Sequence, residues 1–212
     1  SKNVSCNNNL GLREGQHLPK VHNLLFTENR WDPNKEIDWN RIKKIWNKYW
    51  DRSKSVLLEK SPPNICRAND IDKVFSNSKY ICLLRNPYAQ IQSNIRRYNT
   101  DLESATKKYI SYLKFQKNNI ETLENTLVMF YEELADNPSK AKKKISNFLP
   151  LLEDININLK FNAHNMHQKK QMGITNLNKE SIKILSKDQI NSINTILNKE
   201  QELIKYFNYN IL

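Results

Sequence analysis

Glycine is almost absent from this chain: 212 residues contain three, Gly11, Gly15 and Gly173. None sits in a phosphate-cradling turn, and no Gly-x-x-x-x-Gly-Lys-Ser/Thr loop occurs, which excludes a conventional P-loop within these residues. Cysteine is equally sparse. Cys6, Cys66 and Cys82 are odd in number and far apart, without a Cys-x-x-Cys pair, which excludes a disulfide framework and a zinc module of ordinary spacing. No apolar run approaches the length of a membrane-spanning helix. The first residues lack the charged-then-apolar order of a secretory signal, so the expected setting is a soluble, reducing compartment, the cytoplasm. Acidic residues are the minority charge, 22 Asp and Glu against 34 Lys and Arg, giving a net charge of +12. That balance favours anionic partners such as nucleotides, acidic substrates or nucleic acid.

What is present reads as α/β. Tyr80 to Leu84 is a continuous apolar run of strand length, of the kind buried on both faces of a parallel sheet. Asn86 and Pro87 then offer an N-cap and a first helical residue. On that helix Tyr88, Ile91, Ile95 and Tyr98 repeat at the spacing of a buried face. Further strands are expected at Ser55 to Leu58 and Thr126 to Tyr131. Helices are expected after Asp38, over residues 101–124, from Pro138 to about Phe148, and as one final helix over about 187–207. Residues 1–20 and 151–180 read as irregular. The tryptophans, Trp31, Trp39, Trp46 and Trp50, fall in one stretch, either packed as a helix face or forming an aromatic wall for an acceptor. Strands separated by helical patterns imply a central parallel sheet flanked by helices. No linker divides the chain, which reads as one domain over 1–212.

Arg85 closes the apolar strand, at the carboxyl end where open α/β sheets bind ligands. Ser93 follows eight residues later, on the helix side opposite the apolar face, with Arg96 and Arg97 one turn on. It lies about 9 Å along the axis from Pro87. A ligand touching both Arg85 and Ser93 therefore lies beside the helix, and a phosphate monoester held by a guanidinium and a hydroxyl suits that arrangement. The competing reading is an arginine at a sheet edge beside a solvated serine.

Three segments in order, Glu59-Lys60-Ser61-Pro62, the Arg85 to Ser93 stretch and Phe130-Tyr131-Glu132-Glu133-Leu134, resemble the motifs of the sulfotransferases. Those enzymes transfer sulfuryl groups from 3′-phosphoadenosine 5′-phosphosulfate (PAPS). The resemblance spans roughly residues 10–209 and implies a three-layer fold related to the P-loop nucleotide kinases. It implies PAPS as donor, adenosine 3′,5′-bisphosphate (PAP) as product, no metal, and a small-molecule, saccharide or other hydroxyl or amine acceptor. Arg85 and Ser93 match the pair that holds the 3′-phosphate. Tyr131 looks like the tyrosine beside the adenine, or else is a core tyrosine at a strand end. Lys60 occupies the place of the lysine near the transferred group, where a cation can neutralise charge on the bridging oxygen.

The acceptor's proton needs a base. Pro62 stands where the cytosolic branch has its histidine, so the resemblance turns instead to the glutamate of other branches. Glu14 fits best, with Glu59 and His17 as alternatives. The family's first strand and Ser/Gly/Thr-rich phosphosulfate loop have no counterpart here, so the chain reads as truncated before Ser1. Lys169-Lys170-Gln-Met-Gly173 loosely echoes the family's Arg-Lys-Gly segment. Two other classes compete: a basic nucleic-acid-binding protein using lysines and aromatics, and a phosphotransferase of related fold. Neither has its own signature in the sequence.

Overall fold

The computed structural model describes residues 1–9, 13–26, 29–162 and 171–212. Gly11, His164, His167, Lys169 and Lys170, singled out in the sequence, lie outside the described residues. Six short strands are described: β1 (Val4–Cys6), β2 (Val56–Leu58), β3 (Tyr80–Leu84), β4 (Thr126–Phe130), β5 (Phe161–Asn162) and β6 (Gln171–Met172). Helices α1 (Pro19–Leu25), α2 (Trp39–Trp46) and α3 (Ala68–Val74) occur before β3, and α4 (Pro87–Tyr98) and α5 (Leu102–Thr122) before β4. After it come α6 (Tyr131–Asp136), α7 (Pro138–Phe148), α8 (Asn178–Lys183), α9 (Lys187–Leu197) and α10 (Gln201–Tyr206). The class is α/β, as the alternation of patterns implies. The chain forms two compact units, Ser1–Tyr80 with Asn118–Leu127 and Ile145–Ile155, and Ile81–Lys117 with Val128–Lys144 and Asn156–Leu212.

In the first unit β1 and β2 pair in parallel, with Val4 opposite Val56 and Cys6 opposite Leu58. This corrects the reading of residues 1–20 as irregular. A three-residue strand is too short to show a period, and its polar neighbours hide it. Asp38 caps α2, its carboxylate accepting from the Arg41 amide at 2.9 Å. Ile42, Ile45 and Trp46 on that helix join Leu18, Val21, Leu25, Trp39, Trp50 and Ile71 in one apolar core. Three of the four tryptophans thus serve packing. Tyr49 falls beyond the helix and is exposed.

In the second unit the Asn86-Pro87 signal acts as read. The Asn86 side chain accepts from the Ala89 amide at 3.2 Å, and Asn99 ends α4 in the left-handed conformation. Tyr88 and Ile91 are fully buried, but burial ends before Tyr98, which is exposed. The helix packs against α8.

Three further expectations need correction. Strand β3 is buried on one face only: Cys82 and Leu84 point inward, while Ile81 and Leu83 are exposed. A run without alternation does not reveal how many layers cover it, and among the described residues β3 has one strand neighbour, β4. The stretch read as irregular over 151–180 contains β5, β6 and the start of α8. The final helix is interrupted, with a 3₁₀ turn at Asn198–Glu200 separating α9 from α10. Among the described residues no helix is long and apolar enough to cross a membrane.

Candidate functional site

Arg85 leaves the end of β3 and stands just before the α4 cap. Its surroundings hold the guanidinium at two points and the backbone at a third. Nε donates to Asn178 Oδ1 at 2.8 Å, the Tyr131 ring lies 4.5 Å from the guanidinium carbon, and the Tyr109 hydroxyl donates to the Arg85 carbonyl at 3.0 Å. Among the described residues neither Nη atom has a hydrogen-bond partner. Burial pulls the Arg85 pKa below the usual guanidinium value, and the nearby Arg96 charge acts in the same direction. Tyr131, Glu132 and Tyr209 oppose them. The group stays cationic at neutral pH.

Ser93 is half-buried on α4. Thr106, Ser181, Ser192 and Thr195 turn their hydroxyls back to the carbonyl four residues earlier, which satisfies the donor within the helix. Ser93 makes no such bond to any described residue. Ser93 and Arg96 lie one turn apart on α4, the helix that Arg85 directly precedes.

Tyr131 opens α6 instead of ending the strand, because Glu132 and Glu133 suit a helix's first turn. Its hydroxyl donates to the Thr175 carbonyl at 2.8 Å and accepts from the Leu177 amide at 3.1 Å. Behind it, Glu132 receives the Asn86 amide at 2.8 Å, the Asn178 side-chain amide at 2.5 Å and the Tyr209 hydroxyl at 3.2 Å. Burial and the neighbouring Glu132 charge drive the Tyr209 pKa well above an ordinary phenol. Glu132 lies inside a motif already visible in the sequence, adjoining Tyr131. Asn178 gave no signal, sitting in an asparagine-rich stretch 93 residues from Arg85.

The remaining predicted residues gather in the first unit. Glu14, 4 % exposed, forms an ion pair with Lys60 at 2.8 Å, accepts a short hydrogen bond from Gln16 Nε2, and lies 3.3 Å from His17 Nε2. Burial pushes the Glu14 carboxyl upward, but hydrogen bonds from Lys60 and Gln16 and the charges of Lys60 and His17 outweigh it, leaving a pKa below 4.5. Glu59 follows the opposite balance. Burial raises it despite bonds from Ser61, the Gly15 amide at 3.0 Å and Asn64 at 3.3 Å. A Cβ at Gly15 would press on Asn7, Glu59 and the Trp46 indole, which would have to shift to make room. All three candidate bases therefore lie in one hydrogen-bonded cluster around the Gly15–His17 turn.

Among the described residues no group of three or more His, Cys, Asp or Glu is placed to hold a metal ion. No curated protein and no solved structure matches the chain. A model of the sulfotransferase family matches residues 16–153, a span that contains Lys60, Arg85, Ser93 and Tyr131 and starts two positions after Glu14. With well over half of its length so matched, and an α/β fold under it, the chain belongs to the sulfotransferase family.

Proposed function

We propose that this chain transfers a sulfuryl group from PAPS to a hydroxyl or amine acceptor. The observation that carries the reading is the state of Arg85 and Ser93. An arginine anchored through Nε, with both Nη donors uncommitted among the described residues, stands beside a helix whose serine hydroxyl is equally uncommitted. A ribose 3′-phosphate supplies the oxygens such donors lack, and the buried guanidinium makes the contact strong. The Tyr131 ring, held through both hydroxyl bonds, is the expected neighbour of the adenine.

When bound, the donor supplies an activated sulfuryl group, whose transfer breaks one sulfur–oxygen bond and leaves PAP. Lys60 supplies positive charge toward the oxygen that keeps the electron pair. Its side chain is 56 % exposed and can leave Glu14. Glu14 is ionised at neutral pH and accepts the proton lost by the acceptor's hydroxyl or amine. While paired with Lys60 it is a weak base. As Lys60 shifts toward developing charge, Glu14 loses the partner that depresses its pKa and becomes a better one.

Thermal melting of the full-length protein with nucleotides tests this reading. PAP raises the melting temperature, while adenosine 5′-phosphate, lacking the 3′-phosphate, raises it far less. Equal shifts from the two nucleotides, or protection by duplex DNA instead, would overturn it.

A further inference from the structure

Asn178 lies between a group that only accepts and a group that only donates. A carboxylate has no proton to give at neutral pH, and a guanidinium has no lone pair to offer. The side-chain amide therefore has one possible orientation: its nitrogen donates to Glu132 Oε1 at 2.5 Å and its oxygen accepts from Arg85 Nε at 2.8 Å. Glu132 is itself immobilised, since the Asn86 amide and the Tyr209 hydroxyl bind it from other elements. Asn178 is 6 % exposed, which leaves it little room to choose another partner.

The arrangement has a consequence for charge. A carboxylate in direct contact with arginine forms a two-pronged ion pair that uses up the guanidinium edge. Here a neutral amide stands between them. Glu132 stabilises the local charge at one remove, while the Nη edge of Arg85 keeps both its donors and its positive charge for an anion.

We infer that Asn178 and Glu132 are positioning residues: the amide spacer, held by the carboxylate, fixes Arg85 through Nε so that its Nη edge faces the ligand's phosphate. The inference rests on the proposed donor reading. It concerns residues with no contact to the nucleotide, acting only through the arginine.

The test is titration calorimetry of the full-length protein with PAP and with adenosine 5′-phosphate, the ratio of affinities isolating the 3′-phosphate contribution. Asn178→Ala lowers the PAP affinity roughly tenfold and leaves adenosine 5′-phosphate nearly unchanged, so the ratio falls. Glu132→Gln, which keeps the side-chain shape, moves the ratio in the same direction. In an Arg85→Ala background Asn178→Ala causes no further fall, because its route to the ligand is gone. A circular dichroism melt of each variant tracks folding. An unchanged ratio in Asn178→Ala, or equal weakening of both nucleotides, would overturn the positioning role and leave the donor reading standing. A wild-type ratio near one would instead overturn the donor reading, and this inference with it.

Discussion

Ser93 and Arg85 make separable contributions, because one is a neutral donor and the other a charge. Ser93→Ala removes one hydrogen bond to a phosphate, worth about 1.5–3 kcal/mol, and should weaken PAP roughly tenfold or more without changing adenosine 5′-phosphate binding. Competition binding with the two nucleotides checks it. Glu14 makes a prediction in pH. Its folded pKa lies below 4.5, so its stabilising effect is present above that value and fades as pH falls through the depressed one. Glu59 runs the other way: a raised pKa favours the folded state toward acid and loses that advantage as pH rises. Glu14→Gln should therefore flatten the acid-side loss of melting temperature, measured by thermal scans between about pH 3 and 6. At this scale the sequence showed which residue types carry the chemistry and at what spacing. It could not show that Glu14 and Lys60, 46 positions apart, are each other's partners. Nor could it show that an asparagine anchors Arg85, because pairing across such separations is set by the fold.

Elements with strong end signals were legible, and those without were not. Asn86-Pro87 placed the start of α4 to the residue, and Asp38 did the same for α2. Asn86→Ala deletes the cap of the helix bearing Ser93 and should cost about 1 kcal/mol, seen as a lower denaturation midpoint. The Gly15–His17 turn makes a sharper case. Gly15→Ala forces a methyl into Asn7, Glu59 and Trp46, an overpacking that should destabilise by about 1–3 kcal/mol in chemical denaturation. By contrast β1 is three residues long with polar neighbours, below the length at which alternation can be recognised, whereas β2 lies within the Ser55 to Leu58 run read as a strand. The break between α9 and α10 carries no proline or glycine to announce it, only the polar run Asn198 to Glu202, which also suits a helix's solvated face. Ile81 and Leu83 read as core from composition alone, although they lie on the exposed face of β3.

Across the whole chain, the order of the three motifs points to the sulfotransferase family, and the family match over residues 16–153 agrees. The net charge of +12 contributes a long-range field that favours an anionic nucleotide. PAP affinity should fall as salt rises from about 0.05 to 0.5 M, and fall less steeply in Arg85→Ala. Titration at several salt concentrations reads the slope. The most direct measurement is a side-by-side calorimetric titration of PAP and adenosine 5′-phosphate into the full-length protein and its Arg85→Ala variant. The account predicts that PAP binds the wild type much more tightly than adenosine 5′-phosphate does, and that the variant loses most of this preference, keeping only the share that Ser93 supplies. A preference for PAP that is undiminished by the loss of the Arg85 guanidinium would contradict it.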